Sequence, residues 1–170
     1  GKFNLGSYHY EWEVVTRFNS TLRFKMYGDN DVNINMTFDS DEVVEADKWY
    51  HIVYTWDAAS SAGGSTGSAW RVYIDGVESS DGDGATFTLT GTWAAVVNTI
   101  NPLLAARTAG TQYAEIKLDE VSIWDDVISS SQVGIIYNSG SPVDLNESPV
   151  DSTWLLGWWR DGDGATFPTI

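Results

Sequence analysis

The chain has 170 residues, with 24 Asp and Glu against 9 Lys and Arg, and its formal net charge is −15. A surface this acidic repels phosphate backbones and anionic bilayers, which argues against nucleic-acid binding and electrostatic membrane docking. With 42% hydrophobic residues and 14% aromatics it supports a packed core, and with no cysteine it excludes disulfides, thiolate zinc sites and cysteine nucleophiles.

The pattern is that of strands from the start. Tyr8, Tyr10, Trp12, Val14 and Phe18 alternate with His9, Glu11, Glu13 and Arg17. Period two over such a run predicts a half-buried strand. Leu22, Phe24 and Met26 alternate with Arg23 and Lys25, and Val32, Ile34, Met36 and Phe38 with Asn33, Asn35, Thr37 and Asp39. Asn19-Ser20 and Gly28-Asp29-Asn30 punctuate these strands as turns. Trp49 to Trp56 is apolar on both faces, which predicts a central strand covered on both sides. The Gly/Ser/Ala-rich stretch 58–69 reads as a surface loop.

Trp70 to Ile74 predicts a strand, Asp75-Gly76 a two-residue hairpin turn, and Val77-Glu78 the start of the return strand. Further strands are expected at Thr86–Leu89, Leu103–Ala106 and Tyr113–Trp124. One short helix is expected. Ser129 and Gln132 have capping-box spacing, Val133, Ile135 and Ile136 form an apolar stripe, and Gly140 can stop it. Residues 141–153 read as a connector, and 154–170 as a Trp-rich segment. Many short strands with one small helix predict an all-β sandwich.

Three segments, in order, carry a family resemblance. Lys48-Trp49-Tyr50-His51-Ile52-Val53, continued by Tyr54-Thr55-Trp56-Asp57, resembles a "W-h-H-V-A-x-T-y-D" strand. Arg71-Val72-Tyr73-Ile74-Asp75-Gly76 resembles the "lYvDG" hairpin. Leu118-Asp119-Glu120-Val121-Ser122-Ile123-Trp124, with the capped helix after it, resembles "iDEvriynraLs". Together they are similar to the laminin-G-like branch of the concanavalin-A-like lectin/glucanase superfamily, near the pentraxins. The resemblance covers residues 1–140 and implies a jelly-roll sandwich of two antiparallel sheets.

The strand that usually opens such domains, resembling "F-d-G-s-d-y-v", is not visible before Lys2, which points to a piece of a longer chain. Trp158-Trp159-Arg160, with Gly162-Asp163-Gly164 and Phe167-Pro168-Thr169-Ile170, resembles the opening found before such domains in phage tail and virion proteins. Segment 154–170 is therefore expected to begin a second repeat or to supply the missing strand. The heptapeptide Asp-Gly-Asp-Gly-Ala-Thr-Phe occurs at 81–87 and again at 161–167. Such reuse suits a repetitive adhesive or virion protein.

A glucanase of this superfamily would need paired carboxylates on one strand face, about 5–5.5 Å apart for retaining chemistry. No three acids recur at the Glu-x-Asp-x-(x)-Glu spacing, so the sequence reads as non-catalytic. His51 reads as a hydrogen-bonded core histidine. Calcium is the candidate ion, because oxygen donors are plentiful. Asp29, Asp31 and Asn33 form one acidic turn, Asp81 and Asp83 a second, and the bland reading of each is an Asp-capped turn. Trp49, Trp56, Trp70 and Trp124 are expected in the core. Trp93, Tyr113 and Trp158 are the candidates for stacking on a sugar ring.

The expected function is a non-catalytic carbohydrate-binding or cell-surface adhesion module, extracellular or on a virion surface, with a glycan or other cell-surface ligand as partner. The alternative is a structural spacer that associates with copies of itself. A glycoside hydrolase is third.

Overall fold

The computed structural model describes residues 12–16, 21–27, 33–56, 70–79, 86–90, 106–108, 111–113, 116–147 and 152–160. The expected turn at 28–30 and the loop at 58–69 lie outside them, as do both Asp-Gly-Asp-Gly stretches.

Four strands form one antiparallel sheet in the order β1 (Trp12–Thr16), β2 (Thr21–Tyr27), β3 (Asn33–Val43) and β7 (Thr86–Thr90). Its register follows the period-two pattern. Met26 stands opposite both Trp12 and Met36, and Phe24 opposite both Val14 and Phe38. The same register sets Glu13 opposite Lys25 and Asp39 opposite Arg23. A slip of one residue would exchange the two faces, so apolar alternation fixes the pairing.

A second sheet holds β4 (Ile52–Trp56), β5 (Trp70–Ile74) and β6 (Val77–Glu78), all antiparallel. The Asp75-Gly76 turn has positive φ at both residues, 50° and 78°, as a type I′ hairpin requires. Arg71 and Glu78 form an exposed ion pair across β5 and β6.

The two sheets meet through Leu22 of β2. It packs with Val72 and Ile74 of β5, and Val44, Tyr50 and Tyr54 close around them. The opposite face of β5 is also covered. Tyr73 packs with Ile128 and Val133, flanked by Val53, Trp124 and Ile136. Val53 and Tyr54 thus serve different cores, as the doubly apolar run predicts, but among the described strands the sheet's central strand is β5, and β4 lies at its edge. Full burial of a side chain such as Val72 contributes about 1.5–3 kcal/mol.

The second core lies under helix α1 (Ser130–Tyr137). Ser129 caps it as the sequence predicts, with its hydroxyl accepting from the Gln132 N–H while the Gln132 side chain accepts from the Ser129 N–H. The helix ends earlier than Gly140. Asn138 takes the left-handed conformation at φ 42°, a role its short polar side chain tolerates, and a 3₁₀ turn follows over Asn138–Gly140. Leu145, in the stretch expected to be a connector, is buried.

The remaining strands differ from the expected bounds. Strands β8 (Ala106–Thr108) and β9 (Thr111–Tyr113) form a small hairpin. The run expected from Tyr113 to Trp124 does not continue as one strand, because Glu120 is left-handed at φ 53° and β10 (Val121–Trp124) begins after it. Strand β11 (Leu155–Trp159) pairs antiparallel with β10. The fold is all-β, antiparallel and two-sheeted, with a short helix.

Trp124 reaches the second core as expected, but Trp49 does not. It stands before β4 begins and is 63% exposed.

Candidate functional site

Two groups of residues bring chemistry together. The first joins two of the signature segments to the helix that follows the third, at one end of β4. The Asp75 side chain accepts the His51 backbone N–H at 2.9 Å, and the Asp75 N–H donates to the His51 carbonyl at 2.8 Å. This two-point clamp fixes the hairpin turn to the entry of β4. The His51 imidazole lies against Tyr137 at the end of α1, with ring centroids 5.6 Å apart. Its Nδ1 is buried and makes no hydrogen bond among the described residues, so the ring is packed and not hydrogen-bonded at that atom. Burial lowers the His51 pKa below the ordinary histidine value, and the Asp75 carboxylate opposes that shift.

The second group lies on the β10–β11 ribbon. The Asp119 carboxylate accepts the Glu120 N–H at 2.9 Å, which supports the left-handed turn there. Glu120 is then engaged through both carboxylate oxygens. The Trp158 indole N–H donates to Oε2 at 2.6 Å, and the Arg160 Nε donates to Oε1 at 3.2 Å. The Arg160 guanidinium also lies 4.8 Å from the centroid of the Trp158 ring. These contacts fasten β11 to β10 and use both the N–H and a ring face of Trp158. Across the same face, the Trp124 indole donates to the Ser122 hydroxyl at 3.0 Å.

Of the sugar-stacking candidates, Trp158 is half-buried in this cluster. Tyr113 ends β9 and its side chain is not described, and Trp93 lies outside the described residues. Of the calcium candidates, Asn33 opens β3 opposite Thr90, while Asp29, Asp31, Asp81 and Asp83 lie outside the described residues. Among the described residues no three His, Asp or Glu side chains come together as a metal-holding group.

Trp159, part of the Trp158-Trp159-Arg160 motif but not among the sugar-stacking candidates, stands in a distinctive place. A Cβ on Gly157 would lie 2.5 Å from the Trp159 ring, so the six-membered ring occupies the space that glycine leaves open. Trp159 nevertheless remains 46% exposed. The signal was present as Gly-x-Trp, since residues two apart share a strand face.

Residues 3–134 match the laminin-G-type model described as the Concanavalin A-like lectin/glucanases superfamily. The chain belongs to this superfamily. No curated protein and no solved structure matched it. The match spans β1 to β10 of this lectin/glucanase-superfamily domain and reaches into α1. It includes the His51–Asp75 clamp and Glu120, whereas β11 lies beyond it. Among the described residues no helix is long and apolar enough to cross a membrane.

Proposed function

We propose that this domain is a non-catalytic module that binds carbohydrate or another cell-surface ligand, in an extracellular or virion-surface protein such as a phage tail appendage. The observation that carries the reading is Trp159. It is a half-exposed indole seated on the backbone of Gly157, on a strand that Glu120 fastens from its other face. A ring held this way keeps an apolar surface toward solvent at little entropic cost on binding, and such a surface suits the C–H face of a pyranose. Superfamily membership supports the same class of ligand. The non-catalytic reading is supported by Glu120, whose two oxygens serve as struts to Trp158 and Arg160. Calcium at the acidic stretches 29–33 or 81–83 belongs to this proposal as a bridge to ligand hydroxyls.

The test is thermal melting against a panel of oligosaccharides, with calcium and with chelator. A ligand that binds only the native state raises the midpoint by mass action. A rise with one sugar class that Trp159→Ala abolishes supports the module and its platform. A flat response to every sugar and to chelator overturns the lectin reading. That result would favour a structural spacer.

A further inference from the structure

We propose, resting on the ligand reading above, that the Trp159 platform takes an uncharged pyranose and rejects sugars that carry a carboxylate or sulfate. The β10–β11 register sets Trp159 opposite Val121 and Gly157 opposite Ile123. Residues directly opposite one another, like residues two apart on a strand, share a face. Val121, Ile123, Gly157 and Trp159 therefore lie together on one side of the ribbon, and all four are uncharged. The charged pair of the ribbon belongs to the other side. Trp158 and Arg160 alternate with Trp159, and both are held there by the Glu120 carboxylate. An anionic group on a sugar stacked on Trp159 gives up water to meet apolar side chains. Desolvating a charge without a partner is costly.

The rest of the chain acts in the same sense. Its net charge of −15 sets up a field that repels anions before they arrive. Of its nine cations, several already face acids of the same chain. Arg71 pairs with Glu78 and Arg160 with Glu120, while Arg23 and Lys25 stand opposite Asp39 and Glu13 in the sheet register. Lys48 lies over the Tyr50 ring, 4.9 Å from its centroid. A neutral pyranose feels none of this field, because stacking its C–H face on an indole draws on apolar contact. Charge thus gives the platform a selectivity that its shape alone does not.

The test is calorimetric titration of the full chain with matched sugars, at low and at physiological salt, with calcium and with chelator. Each neutral oligosaccharide is paired with a counterpart bearing one sialic acid, uronate or sulfate, as lactose is with sialyllactose. One neutral sugar is expected to bind, and its charged counterpart to bind at least about tenfold more weakly at low salt. The gap should narrow as salt screens the field. Trp159→Ala should abolish binding of the neutral member. Should that variant fail to fold, Gly157→Ala, which displaces the ring, is expected to weaken it instead. A charged member that binds as well as its neutral counterpart overturns this inference and leaves the ligand reading standing. So does a gap that salt leaves unchanged, since steric exclusion does not respond to screening. Silence from both members of every pair overturns the ligand reading itself, and this inference with it.

Discussion

Gly76 and Tyr137 compete for one volume. A Cβ on Gly76 would stand 2.6 Å from Tyr137 Cδ1, while Gly76 itself holds φ at +78°. The turn between β5 and β6 therefore needs glycine twice, for its backbone and for the ring packed on it. Gly76→Ala is expected to cost about 1–3 kcal/mol from the strained φ and the clash together. Urea denaturation of the variant would read this. Tyr137→Ala in the same chain should recover only the clash, leaving the backbone cost.

His51 makes stability depend on pH. Its folded pKa lies below the ordinary value because burial disfavours the charged ring, with the Asp75 carboxylate opposing and Tyr137 packed against it. Below about pH 6.5 the unfolded chain binds the proton more readily than the folded one. Stability is then expected to fall as the pH drops through that value and to level off below the depressed folded pKa. His51→Gln should flatten that part of the curve. A curve unchanged by the substitution would show that the ring protonates freely in the folded state.

The Glu120 cluster predicts a graded series. Glu120→Gln keeps an acceptor for the Trp158 indole and loses the charge that faces Arg160, so it should cost about 0.5–1 kcal/mol. Glu120→Ala removes both contacts and leaves the indole N–H without its acceptor, and about 1–3 kcal/mol is expected. Thermal melts of the pair separate the two contributions. Equal costs would assign the whole effect to charge.

Ser129→Ala removes the helix cap and should cost about 1 kcal/mol. Because α1 covers Tyr73 and Ile128, the loss should appear in global unfolding and not as local fraying.

Gly157→Ala tests the proposed platform apart from stability. The added methyl group must push the Trp159 ring away, which a side chain can do at modest cost. Binding of whichever sugar class the panel identifies is expected to weaken about tenfold, with a melting midpoint close to that of the parent. Undiminished binding would remove Trp159 from the site.

What could be read from the sequence was local. The Asp75-Gly76 turn, the Ser129–Gln132 box and the alternation of β2 and β3 each follow from residues within a few positions of one another. The ordered triplet of motifs pointed to the superfamily. What could not be read depended on partners distant in sequence. Glu120 looks like a solvated carboxylate until Trp158 and Arg160, 38 and 40 residues later, arrive on both of its oxygens. Trp49 looks like a core residue because it opens a run that is apolar on both faces, yet the ladder begins only at Ile52. The helix outruns no glycine because Asn138 adopts the left-handed turn first. Composition cannot say which of the two adjacent indoles, Trp158 or Trp159, finds an acceptor, and it is Trp158 that bonds Glu120.

Val72 and Tyr73 are neighbours on one strand, yet each belongs to a different core. The helix cannot lift away without exposing Tyr73, and the facing sheets cannot separate without exposing Val72. Amide protons of β5 should therefore exchange with solvent only when the whole domain opens, at a rate that reports its global stability. Those of β11, held at one margin by β10 and Glu120, should exchange through smaller, earlier openings.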